Sequence, residues 1–133
     1  MKKISLIILL IGITMTILAG CSAKEESSNP TPQKTTAEEA KEMMDNNSDI
    51  IILDVRTTEE YNAGHIENAI LIPDYEIAEK AEEVLTDKSA EILVYCRSGN
   101  RSASASLSLT ELGYTNVYDF GGIINWPYDV VTE

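Results

Sequence analysis

The chain has few of the residues on which several common kinds of site depend. It contains one histidine, and no group of His, Cys and carboxylate residues has the spacing of a metal site. A glycine-rich nucleotide loop is also missing. We therefore predict neither a metal nor another cofactor. Lys and Arg number 10 against 22 Asp and Glu, and the resulting net charge of −12 argues against nucleic acid as a partner.

Cysteine occurs only twice, and the first one follows a segment typical of secretory signals. Lys2 and Lys3 precede an apolar stretch over residues 4–19, which is shorter than the roughly 20 residues of a membrane span. Its end, Leu18-Ala19-Gly20-Cys21, resembles the lipobox of bacterial lipoproteins. That resemblance implies a lipid such as palmitate on Cys21, and a protein held at the extracytoplasmic face of a membrane. The alternative is an uncleaved N-terminal anchor helix.

The second cysteine, Cys96, has no intrachain partner if Cys21 carries lipid. A lone thiol in an oxidising compartment is a liability, so it is either buried and inert or retained because it reacts. The neighbouring Arg97 favours a reactive thiol. A redox protein that keeps Cys96 reduced is a further expected partner.

Three segments are predicted along the chain. Residues 1–20 form the signal peptide, and residues 21–34 contain the lipidated cysteine and a flexible linker that is polar and includes two prolines. Residues 35–133 form one domain. Its helices are expected over residues 36–44, 57–61, 77–85, 102–112 and 123–126, and its strands over residues 50–53, 69–72, 92–95 and 116–118, with a turn at residues 120–122.

Strands that are apolar throughout and alternate with helices are typical of an α/β domain with a mainly parallel sheet. One segment conflicts with this order, because residues 102–109 alternate polar and apolar side chains as a strand does. We predict a helix there, since its small residues suit a helix packed on a sheet and Gly113 is placed to end it.

The most informative stretch joins the third central strand to this helix. Cys96 ends the apolar run, and a short polar loop containing Arg97 leads to Arg101 at the start of the helix. Two of the three arginines in the chain therefore follow closely after one thiol. A thiol, a tight turn and cations at a helix start suit a thiolate that acts on a small anion. Ligands of parallel sheets bind at the carboxyl ends of strands, where Cys96 and Asp54 both lie.

Motifs spread over residues 35–126 resemble the rhodanese family. The resemblance implies five parallel strands with helices on both faces, and sulfurtransferase chemistry through a cysteine persulfide. Asn68 departs from the glycine frequent in the family, which affects only a turn. The matching motifs are Asp54-Val55-Arg56, Glu60-Tyr61, Gly64-His65-Ile66, Ala69-Ile70 before Pro73, Cys96-x-x-Gly99-x-Arg101-Ser102, Leu112-Gly113-Tyr114, and Gly121-Gly122 before Trp126.

The expected chemistry assigns a role to each part of the loop. Cys96 is the nucleophile, which takes a sulfur atom from a small anionic donor such as thiosulfate and passes it to cyanide or a thiol. Arg101 is expected to bind donor oxygens, while Arg97 adds positive field at the rim. The alternatives are a purely structural salt bridge for Arg101 and a solvated surface cation for Arg97. The loop amides stabilise the anionic sulfur, and they belong to residues Arg97, Ser98, Gly99, Asn100 and Arg101.

The remaining candidate residues are expected to support the site. Asp54, Arg56 and Glu60 form an ion-pair network that locks their segment, although an acid–base role is the alternative. His65, which could pair with a cysteine, is expected to be structural.

Two other functions stay open at this stage. Cysteine phosphatases and arsenate reductases also place an arginine after a cysteine loop, usually with five intervening residues where this chain has four. A shorter loop encloses less volume, which favours a sulfur atom over a phosphoryl group. The third possibility is a rhodanese-like binding module without catalysis, although the presence of Cys96 argues against it.

Overall fold

A computed structural model describes residues 29–133 of the protein. Its centre is one five-stranded sheet in which every pairing is parallel, with the strand order β1-β5-β4-β2-β3. The predicted α/β class is therefore confirmed. The strands are β1 Gln33–Lys34, β2 Ile51–Asp54, β3 Ile70–Leu71, β4 Glu91–Cys96 and β5 Asn116–Gly122.

Four α-helices connect these strands, and short 3₁₀ turns at Asp74–Glu76 and Ile123–Asn125 complete the chain path. Within the described part of the chain, no helix is long and apolar enough to cross a membrane. The predicted signal peptide and the lipid on Cys21 lie outside the described residues. The helices are α1 Ala37–Asn46, α2 Thr58–Ala63, α3 Ile77–Val84 and α4 Asn100–Glu111.

Successive side chains of the central strand β4 enter opposite faces of the sheet, and both faces are covered. Val94 and Cys96 belong to a cluster that includes Ala81 of α3 and Leu109 of α4. The other face carries Tyr95, in a cluster with residues of α1 and α2. Burial on both faces explains why the strand is apolar throughout.

Threonine capping boxes begin the helices that follow β1 and β2. The Thr36 hydroxyl accepts the backbone N–H of Glu39, and the Glu39 carboxylate accepts the N–H of Thr36 in return. Thr57 and Glu60 form the same reciprocal pair at α2.

Two sequence predictions need correction. Strand β1 lies inside the predicted linker, because Gln33 pairs with Tyr118 at the open edge of β5. The predicted turn at residues 120–122 is part of β5 instead. Phe120 is an extra residue in that strand, since Val94 pairs with Asp119 while Tyr95 pairs with Gly121. This bulge buries the Phe120 ring against Tyr95 with centroids 5.4 Å apart.

Helix α4 confirms the choice of helix over strand at residues 102–112. Its buried positions Ser102, Ala105, Ser106 and Leu109 recur every three or four residues and so share one face. The small side chains on that face allow the helix to pack closely on β4 and β5. Gly113 follows with a φ of +97°, as expected for the residue after a helix.

The hydroxyl of Tyr114 links the segment before β5 to the C-terminal end of α3. The ring is fully buried, and the hydroxyl lies 2.9 Å from the carbonyl oxygen of Ala81 and 2.5 Å from that of Leu85. Ala81 lies in the last turn of α3 and Leu85 is the C-cap residue after it, where intrahelical donors run out. The hydroxyl therefore satisfies a helix end inside the core.

Replacement of Tyr114 by Phe should lower the free energy of unfolding by about 1–3 kcal/mol, because a buried carbonyl loses its donor. Urea denaturation followed by circular dichroism measures this change. Tyr75→Phe is the matched control, since Tyr75 is 71% exposed and its variant should stay within about 0.5 kcal/mol of wild type. Equal stability of the Tyr114→Phe protein would contradict the role of the hydroxyl.

Candidate active site

Cys96 is the last residue of β4, and its side chain lies under the loop that follows it. Only 1% of the residue is exposed. Gly99 turns the chain back with a φ of +106°, a conformation that favours glycine. Its backbone N–H then donates to Cys96 Sγ over 3.0 Å. Gly99 is also the N-cap of α4, so the sulfur lies at the positive end of a helix.

Opposing effects act on the pKa of the Cys96 thiol. Burial raises it, because a buried thiolate loses its hydration. Hydrogen bonds from Ser102 and from the backbone N–H groups of Gly99 and Ser98 lower it by more, and the pKa falls below its ordinary value. Donors that prefer the charged sulfur therefore favour the thiolate, which is the nucleophilic form.

The last strand supports the loop from below through a contact that admits no side chain. A Cβ atom on Gly122 would lie 2.1 Å from the carbonyl oxygen of Arg97 and 2.7 Å from the Cα of Ser98. That carbonyl also accepts the backbone N–H of Ile124 over 3.2 Å. Gly122 is thus the glycine of the Gly121-Gly122 motif that lets the loop pass close over β5.

Ser102 and Asp119 lie beneath the loop, and sequence reasoning gave neither of them a role in the site. The Ser102 hydroxyl is 2.8 Å from Asp119 Oδ1 and 3.1 Å from the carbonyl oxygen of Gly99. Asp119 Oδ1 also accepts the N–H of Gly121 over 3.0 Å. Its other oxygen forms an ion pair with Lys34 of β1. An acidic residue inside an otherwise apolar strand was the signal available in the sequence.

Arg101 does not point a free guanidinium at the sulfur, as we expected of a group that binds donor oxygens. Its two terminal nitrogens donate to the two carboxylate oxygens of Glu60 over 2.8 and 2.9 Å. The hydrogen bond from Arg101 is the main cause that lowers the pKa of Glu60 to about 2. The same bond raises the pKa of Arg101, and the charge of Cys96 raises it further. The role of Arg101 in donor binding stays a prediction.

The network predicted for Asp54, Arg56 and Glu60 contains only the first two. Arg56 Nη2 donates to Asp54 Oδ2 over 2.7 Å and to the carbonyl oxygen of Gly64 over the same distance. Both charged residues are buried, and the Arg56 guanidinium lies 5.5 Å from the centre of the Tyr95 ring. Glu60 points away from this pair because α2 directs it towards the Cys96 loop.

His65 is buried and has structural partners. Its Nδ1 is 2.9 Å from the carbonyl oxygen of Tyr61, and its ring stacks on the Tyr61 ring at 3.7 Å between centroids. Its backbone forms an antiparallel bridge with Val131. These contacts hold the C-terminal segment against the domain.

The other predicted loop residues lie at the solvent side of the site. Arg97, Ser98 and Asn100 are exposed. Among residues 29–133, none of the ion pairs involves Arg97, and no group of three His, Cys, Asp or Glu side chains could hold a metal ion.

One groove of the described domain is away from this chemistry. It encloses about 750 Å³ between α1 and the segment after β5, and Trp126 lies in its wall. Neither Cys96 nor any residue of its loop contributes to the lining. We therefore place the candidate site at the loop, where the thiol and its donors meet.

A Gly122→Ala variant tests whether the loop contact controls the thiol. The added methyl must displace the loop, so the Gly99 N–H is drawn away from Sγ and the pKa of Cys96 rises. Alkylation of Cys96 by iodoacetamide at pH 7 should slow by about tenfold, and its half-maximal rate should move to higher pH.

The control for this change is Gly64→Ala, whose Cβ would meet Val130 at an ordinary 3.5 Å. Its alkylation profile should match that of wild type. A wild-type profile in Gly122→Ala as well would show that the contact does not position the amide.

Comparisons with known proteins agree on the family. The family model of the Rhodanese-like domain matches residues 36–127. The thiosulfate sulfurtransferase PspE of Escherichia coli is 39% identical over 71 residues, which are 53% of this chain and 68% of that protein. A solved structure described as rhodanese with anions from E. coli is 34% identical with a TM-score of 0.60, covering 63% of this chain and 99% of that one.

Larger proteins also contain a similar segment. The tRNA uridine(34) hydroxylase of Photorhabdus laumondii is 38% identical over 104 residues, 71% of this chain, which spans only 29% of that relative. The shared part is therefore a domain that occurs both alone and within longer chains. A family match over most of the chain, a parallel five-stranded sheet and a cysteine loop at its carboxyl edge together show that this chain belongs to the rhodanese-like family.

Proposed function

We propose that the protein is a sulfurtransferase that carries sulfane sulfur on Cys96. The observation that carries the proposal is the backbone donor at Gly99, which lies 3.0 Å from a buried sulfur at a helix start. Such a donor stabilises both a thiolate and the terminal sulfur of a persulfide, since each is an anion. Similarity to a relative named thiosulfate sulfurtransferase supports the same chemistry.

The reaction proceeds as two displacements at sulfur. In the first, the Cys96 thiolate attacks the outer sulfur of thiosulfate, a new S–S bond forms, and sulfite leaves with the electron pair of the broken bond. In the second, cyanide or a thiolate attacks the terminal sulfur of the persulfide and regenerates the Cys96 thiolate. The persulfide anion remains under the loop amides between the two steps.

The geometry of the loop disfavours the phosphatase alternative. The four residues between Cys96 and Arg101 turn tightly enough for the Gly99 amide to bond the sulfur itself. Arg101, the cation that would bind a phosphoryl group, is paired with Glu60. A small sulfur species is the better occupant of such a loop.

Cys96→Ser should abolish sulfur transfer. The wild-type protein, incubated with thiosulfate, should gain the mass of one sulfur atom and release thiocyanate when cyanide is added. Loss of the nucleophile should lower thiocyanate release by about 10³-fold or more. Ser98→Ala, in the same loop, should retain most of the activity because its side chain is exposed. A Cys96→Ser protein as active as wild type would contradict the proposal.

We also propose that Cys21 carries a lipid that holds the domain at the extracytoplasmic face of a membrane. The lipobox-like sequence in front of Cys21 supports this, together with an apolar segment too short for an ordinary span. The polar residues after Cys21 would then separate the membrane from β1.

Substitution of Cys21 by Ala should prevent lipidation. Metabolic labelling with a palmitate analogue should mark wild type but not Cys21→Ala, whereas Cys96→Ala should be labelled as strongly as wild type. Equal labelling of wild type and Cys21→Ala would contradict the lipid assignment.

A further inference from the structure

The ion pair between Glu60 and Arg101 has consequences for which donors the site accepts. Both terminal nitrogens of Arg101 are taken by one carboxylate, at 2.8 and 2.9 Å. About a third of the Arg101 side chain is still exposed, 32%, against 28% for Glu60. The pair therefore lies where an arriving donor meets it, rather than inside the core.

Glu60 is held in this position from a second side. Its Oε2 accepts the backbone N–H of Thr57 over 3.0 Å and lies 3.1 Å from the Thr57 hydroxyl, within the capping box of α2. These bonds and the pairing with Arg101 keep the pKa of Glu60 near 2, so the carboxylate stays charged at neutral pH. A rigid, permanently charged partner is difficult for a ligand to displace.

The charges around the sulfur thus offer little net attraction to a dianion. Arg101 is close enough to Cys96 and Asp74 for their charges to raise its pKa, but its own charge is offset by Glu60. Arg97 is exposed at the rim, where solvent and salt screen its attraction for an anion. The whole chain carries a net charge of −12, which repels a doubly charged donor more than a singly charged one.

We propose that Glu60 is a specificity-determining residue that occupies Arg101 and thereby favours neutral or singly charged persulfide donors over dianions such as thiosulfate. This inference rests on the proposed function of Cys96. A dianion needs Arg101 to compensate its charge and must compete with Glu60 for it. A low-molecular-weight persulfide needs only the loop amides around the sulfur.

The favoured first step is balanced without a further reactant. The Cys96 thiolate attacks the terminal sulfur of R–S–SH and forms a new S–S bond to it. R–S⁻ leaves with the electrons of the old S–S bond. The sulfhydryl proton stays on the transferred sulfur. No oxidation or reduction beyond this exchange is required.

Glu60→Gln tests the inference with little disturbance of the helix. Glutamine also serves at the third position of a capping box and can still accept from Arg101, but it has no charge. With the full chain in mild detergent, kcat/KM for thiosulfate should rise at least about fivefold, mainly through KM. With 2-hydroxyethyl persulfide as donor, it should change by less than about twofold.

The matched control is Glu59→Gln, which removes the same charge from the exposed neighbouring position of α2. It should leave both donors within about twofold of wild type. The double variant Glu60→Gln/Arg101→Gln should lose the gain for thiosulfate, because it lacks the Arg101 charge that the single variant leaves without a carboxylate beside it. Equal gains for both donors, an equal effect of Glu59→Gln, or a gain that survives without Arg101 would overturn the inference.

A second measurement does not depend on sulfur transfer. Sulfate, an unreactive dianion, should protect Cys96 from alkylation at a concentration at least about fivefold lower in Glu60→Gln than in wild type. If neither donor loads sulfur on wild-type Cys96, the proposed function fails, and with it the preference for persulfides. If sulfur is loaded but sulfate protects both proteins equally, Glu60 does not restrict dianions, and only the present inference fails.

Discussion

The Cys96 loop can pass over the end of β5 only because Gly122 has no side chain, and most of the site depends on that close contact. The carbonyl of Arg97 occupies the space where a Cβ would be. From there the chain reverses at Gly99, whose N–H reaches the sulfur and whose backbone begins α4. One steric constraint in the last strand therefore positions the donor, the helix and the thiol together. A loop held in this way needs few side-chain contacts of its own.

Hydrogen bonds from the Ser102 side chain and from backbone amides, rather than free cations, favour the charged form of the sulfur. Apart from Arg97, the basic side chains near the loop are paired, Arg56 with Asp54, Arg101 with Glu60 and Lys34 with Asp119. Paired charges position segments at small electrostatic cost, because each buried carboxylate keeps a cation beside it. Amides with fixed orientations keep their field at any pH in the ordinary range. This division suits a site that must hold an anionic sulfur inside a strongly acidic chain.

Periodicity and motif spacing were sufficient for the central strands, the helices and the carboxyl-edge position of Cys96. They succeeded because β2 and β4 are buried on both faces, and because small residues make α4 recognisable beside the sheet. They failed where tertiary pairing decides the structure. Strand β1 contains two polar residues that become a strand only by pairing with β5. The Gly-Gly segment that suggests a turn belongs to β5 because it pairs with β4.

The sequence by itself determined the class of fold, the place of Cys96 at the end of a central strand and the presence of two arginines close to it along the chain. Only the tertiary structure decided how the charged side chains pair. Glu60 binds Arg101, which is 41 positions away in the sequence, while Arg56 binds Asp54. The same is true of Asp119, which becomes part of the site because β5 places its carboxylate beside the Ser102 hydroxyl. Pairings between distant residues depend on how helices pack on the sheet, and local sequence patterns do not contain that information.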